Sequence, residues 1–372
     1  MRKRLFLAFL CCVIAVMNLT VVITAQETEK EMVSADLPVP KICKVTRKGK
    51  GKTSIKWEKT GKISGYQIQY ATDSQYADAK TVTVAGADKT SKALSGLSVK
   101  KDTYIRMRSY KNTDSGNIFS RWSAKVKIIV WNNSWKYAKK SKIHSDPAVL
   151  YYTDSPNPKN ITIAINAGHG CKGGSSKKTL CHPDGSKKVT GGSTGKGAKY
   201  ATAINEGTTV KGMSEAAANL KVAQKLKEKL LSAGYHVLMI RQDSDAQLDN
   251  IARTVIANNN ADCHIAIHFD STSSNKGAFC IRVPKVSSYR KMEPVKSNWK
   301  KHNLLGTKII KGMKSAGVKI WKKGSMALDL TQTSYSTIAS VDLEVGDRKT
   351  STSDKNLSRI AKGIFKGIEN YY

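Results

Sequence analysis

The sequence predicts a multidomain chain, a small all-β sandwich followed by an α/β domain whose mostly parallel sheet is covered on both faces to give three layers. Three observations predict it. Short alternating runs separated by turn residues recur over 38–130, the pattern of packed antiparallel strands. From about residue 160 the period changes, and strand-length apolar runs alternate with amphipathic helices, the order that builds a parallel sheet. Where that second pattern begins, Ile161-Thr-Ile-Ala-Ile-Asn-Ala-Gly-His-Gly170 reads as a short buried strand broken by Asn166, Gly168 and Gly170. It leaves His169 on a tight turn at the strand's carboxyl end, where ligands gather in open α/β sheets.

Residues 1–25 read as a targeting segment. Arg2, Lys3 and Arg4 precede a mostly apolar, uncharged run over 5–22, and Ala25 offers a small residue for cleavage. A retained membrane anchor is the competing reading; we expect cleavage, export, and no stable membrane insertion afterwards. The whole chain carries 63 basic and 28 acidic residues, and loss of the three N-terminal basic residues leaves 60 against 28. Such an excess implies a polyanionic partner, the plainer alternative being a solvated lysine face. Export argues against nucleic acid and favours anionic polymers of a cell wall. Five cysteines remain after cleavage, Cys43, Cys171, Cys181, Cys263 and Cys280, too few for a disulfide scaffold. Cys171 and Cys181 share one Gly- and Lys-rich insert, and export permits oxidation, so a disulfide between them is expected.

In the first domain, 38–130, strands are expected at Thr53-Ser-Ile-Lys-Trp57, Gly65-Tyr-Gln-Ile-Gln-Tyr70, Lys80-Thr-Val-Thr-Val84 and Tyr104-Ile-Arg-Met-Arg-Ser-Tyr110. With Trp57, Leu94, Leu97, Tyr104 and the closing Phe119-Ser-Arg-Trp-Ser123, the segment resembles a bacterial fibronectin type III domain. Trp57, Tyr104 and Trp122 are expected in its core, and it holds no catalytic set. Residues 131–158 mix Asn132-Asn133, a lysine run and Pro147, Pro156 and Pro158, and read as a linker.

In the second domain, 159–372, Ser214 is a fair N-cap for a helix over 214–233 with Leu220, Ala223, Leu226 and Leu230 on one face. Gly234 stops it before a strand over 236–241. A helix over 249–258, strands over 262–268 and 277–283, helices over 302–314 and 356–369 and a last strand over 338–345 complete the order.

His169 follows the first of these strands, Glu215 opens the first long helix, His268 ends a later strand, and Glu344 lies in the last. Two imidazoles and one carboxylate can hold zinc tetrahedrally with a place left for water, and a further carboxylate can move the proton. Taken singly, each has an ordinary reading: a turn residue, a first-turn acid favoured by the helix dipole, a core histidine. The motifs in order are Gly168-His-Gly170, Glu215 with its helix, Gly234-Tyr-His-Val-Leu-Met-Ile-Arg241, Arg253-Thr-Val-Ile-Ala-Asn258, Ala261-Asp-Cys-His-Ile-Ala-Ile-His268 and Leu343-Glu-Val-Gly346. Through them the segment 160–372 resembles the zinc-dependent N-acetylmuramoyl-L-alanine amidases. The resemblance implies one zinc ion on His169, Glu215 and His268, catalysis by Glu344, and peptidoglycan as substrate.

Some positions depart from that family. Asn166-Ala167 stand where it has Asp-Pro, Cys171 replaces a glycine, and Asp347-Arg348-Lys349 replaces an apolar run. Arg348 is a candidate contact for a peptide carboxylate, with a solvated loop arginine as the alternative. The insert over 171–213 reads as a mobile wall of the cleft or a disordered surface loop. His182 is a spare imidazole within it, and His264 is expected to be structural. The expected function is that of an exported, wall-associated hydrolase that cuts between the lactyl group of muramic acid and the first stem alanine. The alternatives are a zinc peptidoglycan peptidase and a non-catalytic wall-binding or adhesion protein.

Overall fold

The computed structural model describes residues 32–48 and 52–372, so the targeting segment expected at 1–25 lies outside the described residues. In the first domain, strands Ile42–Lys48, Lys52–Trp57 and Ser91–Leu94 form an antiparallel sheet. A second sheet orders Lys80–Ala85, Gly65–Ala71, Thr103–Thr113 and Val126–Ile129, also antiparallel. Their inner faces share one core of Ile55, Trp57, Tyr66, Ile68, Ile105 and Met107, and Trp57 meets Tyr66 edge-on at 5.1 Å. This β-rich region fits a fibronectin type III-like sandwich.

Trp57 is buried as expected, whereas Tyr104 and Trp122 are half-buried on the outer face. The reason is the period of two: Ile105 and Met107 point inward, so Tyr104, Arg106 and Arg108 point out. There the Trp122 ring lies 4.6 Å from the Arg106 guanidinium and 4.3 Å from that of Arg108.

The stretch 131–158, expected as a linker, carries strand Ala148–Tyr151, antiparallel to Val126–Ile129 on one side and to His236–Met239 on the other. All four of its residues are buried, as in a strand covered on both faces, and so it lacks alternation. One sheet therefore runs through both domains. Polar contacts tie them further. Lys227 Nζ donates to the Cys43 carbonyl at 2.6 Å, and Lys44 pairs with Asp243 at 2.9 Å. Gln242 Nε2 donates to the Val45 carbonyl at 2.5 Å, while the Tyr151 hydroxyl accepts from Val45 N at 3.0 Å and donates to Gln242 Oε1.

In the second domain the parallel strands lie in the order His236–Met239, Thr162–Ala167, Cys263–Asp270, Ala339–Asp347. Ala278–Arg282 follows antiparallel, with Ile320–Ala327 at the edge. Alternation divides the strand residues between two layers. Ile163, Ile165, Ile265 and Ile267 face helices Glu215–Ser232, Val295–Ser315 and Asp354–Glu369, while Ala164, Leu238 and Ile240 face helix Asn250–Asn260. The helix starts follow side-chain caps: Ser214 Oγ accepts from Ala217 N at 3.3 Å, and Asp249 Oδ1 from Ala252 N at 2.8 Å. Leu226 and Leu230 of the first helix are fully buried, each contributing roughly 1.5–3 kcal/mol through removal of apolar area from water.

The insert over 171–213, expected as a mobile wall or a disordered loop, carries short paired strands. It pairs Lys178–Leu180 with Tyr200–Thr202 and Thr209–Val210 with Met213–Ser214. Its anchor is Asp329, whose carboxylate is fully buried and accepts from Val189 N at 2.7 Å, Lys188 Nζ at 3.0 Å and the Thr190 hydroxyl. Cys171 and Cys181 are free buried thiols, so the expected disulfide is absent. They sit in different surroundings, Cys171 beside Arg253 and Cys181 beside Lys188 and Asp329.

Candidate metal centre and active site

Strand Thr162–Ala167 ends at Gly168, whose N–H donates to the Ile267 carbonyl at 2.9 Å. The next residue, His169, has φ 62°, a left-handed conformation that costs a non-glycine residue energy. Two buried guanidiniums hold it there. Arg241 donates to the carbonyls of Ala167 at 2.7 Å and Gly168 at 2.9 Å. Arg253 donates to those of Ala167 at 3.1 Å and His169 at 2.7 Å, and to Asn166 Oδ1 at 3.2 Å. Charge-assisted bonds of this kind are the strong ones, and they fix the turn that presents the imidazole. Asn166 thus takes part in the turn without charge.

The His169 Nδ1–H donates to the Asn205 carbonyl at 2.9 Å, which leaves the Nε2 lone pair free. Nε2 lies 2.9 Å from Glu215 Oε1 and 3.0 Å from His268 Nδ1, and the latter is 3.2 Å from the same carboxylate oxygen. Glu215 is fixed from behind, its Oε2 accepting from Thr208 N at 2.9 Å and its Oε1 from Phe269 N at 3.0 Å. The three atoms are separated almost as the corners of a tetrahedral zinc site are, since ligands ~2.0–2.1 Å from an ion lie roughly 3.3 Å apart. His169, Glu215 and His268 can therefore hold a metal ion. Two glycines make room: a Cβ on Gly168 would lie 2.1 Å from His268 Cε1, and one on Gly207 would lie 2.6 Å from His169 Cδ2.

Burial works against ionisation of Glu215, but the imidazoles of His169 and His268 beside it outweigh burial and hold the carboxyl well below its ordinary range. Burial likewise disfavours the charged His268, yet Asp342 and Glu215 push it up to about 9. Glu344 stands opposite His268 across the parallel strand pair. Its Oε2 is buried without a hydrogen-bond partner among the described residues. Burial drives the Glu344 carboxyl well upward, assisted by Asp342 and Glu215 and opposed by His268. A carboxyl with an unengaged oxygen beside three convergent ligands is suited to proton transfer.

The four residues singled out from the sequence are thus gathered at one end of the sheet, with Glu344 brought beside His268 by strand register. Arg348 is exposed. Its backbone pins two loops, N to the Thr272 carbonyl at 3.0 Å and O from Lys211 N at 3.1 Å. His182 lies apart from the cluster, its Nε2 3.1 Å from Asp329. His264 is buried, 3.4 Å from the Ser340 hydroxyl. Sequence reasoning missed Asp342, 3.7 Å from His268 Nε2; the signal was an acid two residues before Glu344, alternating with Val341, Leu343 and Val345.

The profile of the N-acetylmuramoyl-L-alanine amidase family matches residues 163–370. Similar solved structures include the N-acetylmuramyl-L-alanine amidase of Mycobacterium smegmatis, 14% identical, covering 58% of this chain and 98% of that one at TM-score 0.48. The apo enzyme of Mycobacterium abscessus is 19% identical over 57% of this chain and 98% of its own, at TM-score 0.45. The N-acetylmuramoyl-L-alanine amidase of Clostridium difficile 630 is 18% identical over 57% and 96%, at TM-score 0.39. No curated protein matches the chain.

Proposed function

This chain belongs to the N-acetylmuramoyl-L-alanine amidase family, and on that premise we propose that it is an exported, zinc-dependent hydrolase of peptidoglycan. The observation that carries the zinc reading is the convergence of His169 Nε2, Glu215 Oε1 and His268 Nδ1 within 3.2 Å of one another. Zinc held by these three residues would supply Lewis acidity, lowering the pKa of a water and polarising the amide carbonyl. Glu344 takes the proton from the attacking water and hands it to the leaving nitrogen of the first stem alanine, and its raised pKa suits both transfers. The lactyl carbonyl keeps the hydroxyl and becomes a carboxylate, and the peptide leaves with a free amine. Arg348, which is exposed, is the proposed contact for a stem-peptide carboxylate.

The domain limits follow the sequence reading: a fibronectin type III-like region over 38–130, a connection over 131–158 and the catalytic domain over 159–372. Export rests on the basic and apolar segment at 1–25. No helix among the described residues is long and apolar enough to cross a membrane. The mature excess of basic residues supports association with anionic wall polymers.

Digestion of purified peptidoglycan, followed by amine labelling and mass spectrometry, tests this reading. It is supported by intact stem peptides beginning with a free alanine amine and by peptide-free glycan, formed with zinc and not after chelation. Sugars still carrying a truncated stem would mean a peptidase instead.

A further inference from the structure

We propose that Asp342 is a positioning residue, a carboxylate that sets the tautomer and ring orientation in which His268 ligates the metal. The inference rests on the zinc reading above. The two nitrogens of His268 face different ways: Nδ1 points into the ligand cluster, 3.0 Å from His169 Nε2, and Nε2 points to Asp342 Oδ2 at 3.7 Å. A neutral imidazole carries one N–H. A carboxylate beside Nε2 draws the hydrogen there and leaves the Nδ1 lone pair for a metal; with the hydrogen on Nδ1 the residue is no ligand at all. His169 has the equivalent support from the Asn205 carbonyl, bound at its own outward nitrogen. The two histidines are thus served by different outer partners, and a carboxylate makes its imidazole the more basic ligand.

The placement of Asp342 argues for a purpose beyond folding. On strand Ala339–Asp347, Val341, Leu343 and Val345 fill the core of one face, while Asp342 and Glu344 share the other. Asp342 is half-buried. Among the described residues its side chain makes no hydrogen bond, and His268 is its one ion-pair partner within 4.0 Å. A half-buried carboxylate without side-chain donors adds little to a strand, and the one group it faces is the ring of His268.

The test is zinc affinity, measured on the full mature protein by competition with a chromophoric chelator, together with melting of the zinc-free protein. Asp342→Ala is expected to weaken zinc binding by about 10–100-fold, the usual effect of removing an outer partner. It should leave the zinc-free melting temperature equal or higher. Asp342→Asn, which keeps an oxygen acceptor and the same shape, should fall between wild type and Asp342→Ala, and it carries the test should the alanine variant not fold. In the cobalt-substituted protein the visible bands should shift in both variants. Zinc affinity within twofold of wild type in the folded variants would overturn the role of Asp342 while leaving the metal reading intact. A wild-type protein that binds no zinc would overturn both.

Discussion

Gly168→Ala probes the candidate metal centre at its tightest contact. A Cβ at this position would fall 2.1 Å from His268 Cε1, 2.4 Å from Nε2 and 2.5 Å from Nδ1. Carbon atoms sit comfortably at about 3.5 Å, so the ring must retreat by about 1.4 Å. Metal sites tolerate displacements of about 0.2 Å, and a misplacement near 1 Å in a catalytic constellation costs about 100-fold in rate. Gly168 is not among the positive-φ residues, so alanine suits the backbone and the damage is confined to the ring. Overpacking of this kind costs the fold about 1–3 kcal/mol. The expected result is a folded protein with zinc affinity weakened by at least about 10–100-fold and turnover reduced about 100-fold or more. Chelator competition and product release from labelled peptidoglycan read the two effects separately. A variant with wild-type zinc affinity and turnover would show that His268 does not need its present place, and the ligand assignment would fail.

Glu344→Gln should retain zinc and lose turnover by about 10²–10⁴, the share of a positioned acid–base group; loss of the metal would recast Glu344 as a ligand. A pH effect should come from His264 and His302, each pushed down to about 3 by burial, with Nε2 unpartnered in both. Their unfolded forms take a proton near pH 6.5 that the folded forms refuse, so stability is complete above that pH and falls as acid is added toward pH 3. The loss is about 2 kcal/mol for each histidine at pH 5. Urea midpoints between pH 7.5 and 5 measure it, and a flat profile refutes it. Binding to isolated walls should weaken with salt, because exposed charges are screened within about 10 Å at 0.1 M; co-sedimentation unchanged up to 1 M salt would point to specific recognition instead.

The candidate ligand set was legible through the family resemblance and the order of its motifs, since each residue taken singly is ordinary. Gly168 and Gly170 bracket His169, Ser214 caps the helix that Glu215 opens, and His268 ends an apolar strand. Other features depend on partners far along the chain. Asp329 orders an insert that begins more than one hundred residues earlier, which no local window reveals. Strand Ile320–Ala327 sits at the sheet edge with Lys322 and Lys323 exposed, so it lacks the apolar run that marks a buried strand. Ala148–Tyr151 was hidden by the prolines and lysines around it. Asp342 was passed over because its value depends on the ring it meets, which register alone brings near.

The strand Ala148–Tyr151 has a mechanical consequence. Since it is paired on both edges, nothing between the β-rich region and the catalytic strands acts as a tether. A tethered enzyme searches a sphere around its anchorage, with an effective concentration set by linker length. A chain stiffened by a shared sheet behaves as a ruler: anything held by the β-rich region would meet His169, Glu215 and His268 at one distance and one angle.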